Sequence, residues 1–378
     1  MAHLLIGLIL FGLALLAVLP VPHVSLWPPS VIAKEWGHVL AILCLPVLYP
    51  RWLFYPIDEI GGGLALAAAI LFLVPLLSSL DTARVLPEEL AAAFGKVPGQ
   101  PGDRPTPMLW RDLFLGIPLR RMPVETVTYV FRDGRRLKMD VTRPRGGGGA
   151  APMVLVIHGG AWHSGNRKQL PALNRYLAAR GYLVAAIDYR LSPGATFPAA
   201  LNDVLSAVAY LKEHGAALGG DPTRIVTLGR SAGAQLAVLA AYVMQDPAIR
   251  GAIAFYGPFD LVWAYSAPGG VLDSPQILRD FLGGSPTDVP EQYQNASPVS
   301  CVKTNSPPTL LIHGDADRLV GTEHAIRLAA KLREAGRPHL VVRTPLGTHG
   351  SDINLSGPFG QISTYAVEQF LRAVTHEA

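Results

Sequence analysis

The chain has 378 residues, half of them hydrophobic, and its mean hydropathy of +0.30 is high for a wholly soluble protein. Lys and Arg number 32 against 28 Asp and Glu, a formal charge of +4. The one basic group, Arg132 to Arg145, reads first as a solvated hairpin face and second as a contact for anionic lipid headgroups, so no nucleic-acid partner is expected. The two cysteines, Cys44 and Cys301, imply no disulfide framework and do not indicate a compartment.

The apolar excess sits in the first eighty residues. Residues 4–22, LLIGLILFGLALLAVLPVP, carry no charge, and residues 60–80 are uncharged up to Asp81. At about 1.5 Å per residue both reach bilayer length. Between them, residues 36–57 are apolar except for Arg51 and are interrupted by Pro46 and Pro56. This middle stretch either spans, with Arg51 snorkelling to an interface, or lies in the membrane plane. Trp27, Trp36, Trp52 and Tyr55 flank these segments as interfacial aromatics do. Only MAH precedes the first segment and no small-x-small site follows, so an uncleaved anchor is expected. Residues 1–81 are thus read as a transmembrane region of two or three helices, with membrane lipid as a partner. With three spans, Lys34, Arg84 and Lys96 share a side with the rest of the chain, which leans that side cytoplasmic. Residues 82–124 read as a proline-containing linker with a short amphipathic piece in PMLWRDLFLGIPLRRMP.

From Thr126 the pattern changes. TVTYVFR and RRLKMDVTRP flank Asp133-Gly134, a hairpin signal. Six apolar runs follow: 153–158, 183–188, 224–229, 251–256, 309–313 and 339–344. Continuous apolar runs suit strands buried on both faces. The stretches between them, such as PAALNDVLSAVAYLKEHG, carry helical spacing. The alternation predicts a mostly parallel sheet with helices on both faces, whose chemistry lies just beyond the carboxyl ends of the strands.

Those ends carry reactive residues. After RIVTLG come Gly229-Arg230-Ser231-Ala232-Gly233 and a helical run, which is G-x-S-x-G between a strand and a helix. The competing reading of Ser231 is a helix N-cap. After TLLIH come Asp315 and Asp317, and after HLVVRT comes His349 in a glycine-flanked loop. A serine hydroxyl is a weak nucleophile at neutral pH. It needs an imidazole to take its proton and a carboxylate to orient that imidazole. The chain order Ser, Asp, His supplies all three.

Together HGGAW, DYRLSP, GGDPTRIVTLGRSAGAQLA, HGDADRLV and GTHG make residues 125–378 resemble an α/β-hydrolase, in the serine esterase branch related to hormone-sensitive lipase. HGGAW with GRSAGA is closer to feruloyl esterases, arylformamidases and prenylcysteine methylesterases than to the lipase-like group. The resemblance implies a mostly parallel eight-stranded sheet, a Ser231–Asp317–His349 triad, and no cofactor. It places the oxyanion hole at the backbone amides of Gly159, Gly160, Ala161 and Ala232, where bare backbone can approach a substrate oxygen. Two departures are Arg230, a cation beside the nucleophile expected to alter substrate approach, and Gly321, where a proline often stands.

His158 and His313 open the two HG turns and are read as structural, each bonding its turn's backbone; neither has metal-ligand spacing with other donors, so no metal is expected. Asp203 and Asp221 are read as structural. Trp162 is core or pocket wall. Residues 257–300, with Phe259, Trp263 and Tyr265, form a long connection read as a lid over the acyl or alcohol pocket, with Trp263 touching substrate. The expected function is a membrane-anchored carboxylesterase acting on small-molecule or lipid-like esters. Amide hydrolysis and acyl transfer use the same triad, and a silent, binding-only hydrolase fold is the alternative of a different class.

Overall fold

The computed structural model describes residues 2–48, 59–97, 104–144, 150–266 and 271–376. Arg51, Trp52, Tyr55, Pro56 and Arg145 lie outside them. The N-terminal third is helical: α1 Ala2–Val18, α2 Trp27–Glu35, α3 Gly37–Leu43, α4 Leu45–Leu48, α5 Glu59–Phe94 and α6 Trp110–Leu115. The rest alternates strand and helix: β1 Val124–Arg132, β2 Arg135–Thr142, β3 Ala151–Ile157, α7 Pro171–Ala178, β4 Leu183–Ile187, α8 Ala199–His214, β5 Gly220–Arg230, α9 Ala232–Met244 and β6 Ile249–Phe255. Next come α10 Leu261–Ser266, α11 Ser274–Leu282, α12 Pro290–Asn295, β7 Thr309–Gly314, α13 Glu323–Glu334, β8 His339–Thr344 and α14 Pro358–Thr375.

The eight strands form one sheet in the order β1-β2-β4-β3-β5-β6-β7-β8. β1 pairs antiparallel with β2 and β2 with β4, and every later pair is parallel. The β1–β2 turn is Asp133-Gly134, both with positive φ, as a tight two-residue hairpin turn requires. Five of the six apolar runs are buried on both faces because side chains alternate along a strand; the sixth, β8, lies at the sheet edge and is mostly half-buried, with Arg343 exposed. In β3, Met153, Leu155 and Ile157 join a core with α8, α9 and α13, while Val154 and Val156 join a second core with α7 and α14. Each such side chain contributes about 1.5–3 kcal/mol by leaving water.

α5 differs from the expected short span followed by a linker. It continues past Asp81 to Phe94. Residues 82–94 form its last turns, because Ala83, Leu86 and Leu90 recur on one face and pack into the second core beside α14. Residues 59–80 instead pack against α1 and α3, where small side chains (Ala14, Ala17, Ala33, Ala41 and Ala68) allow close approach around Phe72. α1 ends at Val18, short of the expected residue 22. Among the described residues, α5 is the one helix long and apolar enough to cross a membrane by itself; Val24–Glu35 with Gly37–Val47 qualifies only as a pair bent by 80°.

Candidate active site

The strand-to-helix turn after β5 sets the site. Ser231 has φ 53° and ψ −124°, outside the regions a residue with a side chain prefers. The turn is this tight because its flanks are bare. A Cβ on Gly229 would lie 2.0 Å from the Gly233 carbonyl oxygen, and one on Gly233 would lie 2.3 Å from the His158 and Ile157 oxygens. The Ser231 amide donates to the Phe255 carbonyl at 2.9 Å, and its side chain makes no capping bond to α9. The N-cap reading therefore does not hold.

Asp317 and His349 are brought together. His349 Nδ1 lies 2.7 Å from Asp317 Oδ2. The other carboxylate oxygen, Oδ1, accepts from the Leu319 and Val320 amides at 2.8 and 2.9 Å. Burial alone would raise the Asp317 pKa, but His349 and His313 hold it well below the ordinary carboxylate range. The carboxylate thus stays charged and fixes the His349 tautomer, leaving Nε2 for other work. Asp315 is excluded from this role: it pairs with Arg343 at 2.9 Å. His313 Nε2 donates to the Val320 carbonyl at 2.8 Å. His158 Nδ1 donates to the Gly159 carbonyl at 2.8 Å and stacks on Tyr189. Both bond backbone in their turns.

Two expectations need correction. The Gly159 amide is not free to meet an oxyanion, because it donates to Gln169 Oε1 at 2.7 Å. The loop that follows has positive φ at Gly160, Ala161 and Trp162. Among the described residues, none accepts from the Gly160 or Ala161 amide. The Ala232 amide opens α9, where helix geometry supplies no internal acceptor. The second correction is Arg230. Its side chain is 2 % exposed and does not face approaching substrate. Arg230 Nε donates to Asp352 Oδ2 at 2.5 Å, and the Tyr256 hydroxyl donates to Asp352 Oδ1 at 2.5 Å. The Tyr256 ring lies 4.3 Å from that of His349. Asp203 is likewise fully buried, paired with Arg190, and Asp221 closes a turn onto Thr223.

A cavity of about 220 Å³ opens beside Ser231 and is lined in part by Ala161, Trp162, Ala232, Trp263, Asp317 and His324. Pro258, Ala264, Leu272, Ser274, Ile277 and Leu278 of the 257–300 segment form one wall, and residues 318–321 another; residues 267–270 of that segment are outside the described set. Trp162 is both core and wall: it stacks on Phe281 at 4.2 Å and donates to Gln235 at 3.0 Å. His324 was not legible in the sequence, since it begins an ordinary amphipathic helix. Its Nδ1 accepts from the Phe259 and Asp260 amides at 3.2 and 3.4 Å. Burial, with His313 nearby, pushes its pKa down to about 3. The ring is thus neutral with its proton on Nε2.

A mostly parallel eight-stranded sheet with a strained serine turn after its fifth strand and a histidine–carboxylate pair beyond β7 and β8 defines an α/β-hydrolase esterase fold. The BD-FAE family model matches residues 139–332, more than half of the chain, and the chain belongs to that family. It is 33% identical over 253 residues to "Probable carboxylic ester hydrolase LipM" of Mycobacterium tuberculosis, covering 64% of this chain and 57% of that protein. It is 26% identical over 245 residues to "Isoprenylcysteine alpha-carbonyl methylesterase ICME" of Arabidopsis thaliana, covering 61% and 57%. The chain therefore spans less than two thirds of the length of these curated relatives. The structure of Thermogutta terrifontis esterase 2 phosphonylated by sarin superposes with a TM-score of 0.57 at 25% identity, covering 66% of this chain and 93% of that one.

Proposed function

We propose that the protein is a membrane-anchored serine carboxylesterase with a Ser231–His349–Asp317 triad. The observation that carries this reading is the strained Ser231 turn sharing one cavity with an Asp317 whose carboxylate is bonded to His349 Nδ1. His349 Nε2 takes the Ser231 proton as Oγ attacks the ester carbonyl carbon. The tetrahedral oxyanion is met by the amides of Gly160, Ala161 and Ala232. Collapse expels the alcohol, which receives the Nε2 proton, and leaves an acyl-serine. Water then attacks with His349 again as base, releasing the acid. Asp317 offsets the imidazolium charge in both steps.

The cavity is smaller than the roughly 300–1,000 Å³ of drug-sized sites, which favours short acyl groups. The anchor is supported by Leu5, Leu8, Ile9, Ile60, Leu66, Ile70 and Leu77, large apolar side chains exposed on α1 and α5. The test is turnover of p-nitrophenyl esters, acetate through dodecanoate, by detergent-purified wild type and Ser231→Ala. Turnover greatest for short chains and absent in the variant is expected. Equal turnover by both proteins would remove Ser231 from the mechanism.

A further inference from the structure

Helix α2 belongs to the N-terminal helical region, yet its first residue reaches the proposed catalytic histidine. The Trp27 indole Nε1–H donates to the His349 carbonyl oxygen at 2.7 Å. The two rings meet edge-on, with centroids 6.2 Å apart. His349 is buried, and its carbonyl needs a donor. The next residue, Gly350, has φ +78°, and a Cβ there would come 3.3 Å from the indole ring. The turn after His349 is thus shaped against Trp27.

The far end of α2 grips the same loop. The Asn354 side chain in that loop donates to the Glu35 carbonyl at 3.3 Å, and the amide of Gly360, in the first turn of α14 that follows, donates to Glu35 Oε2 at 3.4 Å. Between these two holds lies Asp352, which binds Arg230, the residue before Ser231, and Tyr256, whose ring lies on His349. One helix therefore clamps both ends of a loop that carries the base and braces the neighbour of the nucleophile.

We infer that Trp27 is a positioning residue for His349, so that the N-terminal helical region sets the rate of the chemical step; this rests on the triad proposed above. The indole holds the His349 backbone, and with it the Nδ1 contact to Asp317 on which the proposed base depends. Misplacement of a reacting group by about 1 Å costs on the order of a hundredfold in rate, so losing one anchor at the base affects turnover more than substrate binding.

The test uses the full-length protein in detergent with two variants. Trp27→Phe removes the donor and part of the ring. Replacing Trp27 with benzothienylalanine removes only the N–H and keeps the shape. The readouts are the labelling rate of Ser231 by a fluorophosphonate, kcat and KM for p-nitrophenyl butyrate, and the thermal unfolding midpoint. Both variants are expected to lose about ten- to a hundredfold in labelling rate and kcat, with KM within about twofold and the midpoint unchanged. A wild-type labelling rate and kcat in the benzothienylalanine protein overturns the inference, as does a loss seen only where the midpoint also falls. Ser231→Ala separates the two levels. If wild type is labelled and Ser231→Ala is not, a silent Trp27 effect sinks the positioning role alone. If wild type itself is not labelled at Ser231, the triad fails first and the inference with it.

Discussion

Asp317 spends both carboxylate oxygens: one on two loop amides, the other on His349. Asp317→Asn keeps the shape but presents an amide where Nδ1–H needs an acceptor, so kcat should fall by about 10⁴. Asp315→Asn, whose partner is Arg343, should retain near wild-type kcat. Steady-state kinetics on one ester checks both, and equal losses would contradict the assignment. His324 gives a pH prediction. Its folded pKa of about 3 lies below the ordinary value near 6.5. Between those values the unfolded state binds the extra proton. The stability linked to His324 is thus fully present above about pH 6.5 and falls as pH drops, with a slope of about 1.4 kcal/mol per unit. Denaturant titrations from pH 7 to pH 4 should show a shallower acid limb in His324→Gln than in wild type; parallel curves would mean that His324 does not titrate as a buried base. The proposed triad of Ser231, Asp317 and His349 could be read from the sequence because each sits in a short local motif. The Gly159 amide was misread because its acceptor, Gln169, lies ten residues on in a loop with no motif. Arg230 was misread because its partner, Asp352, lies 122 residues away.

At the scale of elements, α5 joins two environments in one helix. Its first half exposes Ile60, Leu66, Ile70 and Leu77, whereas Ala83, Leu86 and Leu90 are buried against the hydrolase core. Leu86→Ala should destabilise the folded chain by about 2–5 kcal/mol, as buried leucine truncations do. Leu77→Ala, 59 % exposed, should change stability in detergent by about 0.5 kcal/mol or less. Denaturant unfolding of the two variants measures this difference, and equal effects would mean that α5 does not dock as described. The helix's extent was not legible because the uncharged run stops at Asp81 and Pro87 reads as a breaker. The i, i+3, i+7 spacing of Ala83, Leu86 and Leu90 was the available signal. The sheet strands were legible for the opposite reason. Burial on both faces leaves continuous apolar runs.

For the whole molecule, the N-terminal helices and the eight-stranded sheet share packing through α5 and hydrogen bonds through α2. The proposed anchor therefore holds the proposed active site by the histidine loop as well as by the chain. The central claim is that Ser231 is an activated nucleophile. The measurement that tests it most directly is reaction of the detergent-purified full-length protein with a fluorophosphonate, followed by mass mapping of the adduct. The account predicts one adduct per chain, on Ser231, formed in step with loss of p-nitrophenyl butyrate turnover. Full loss of turnover with Ser231 unmodified, or modification of Ser231 with turnover intact, would contradict it.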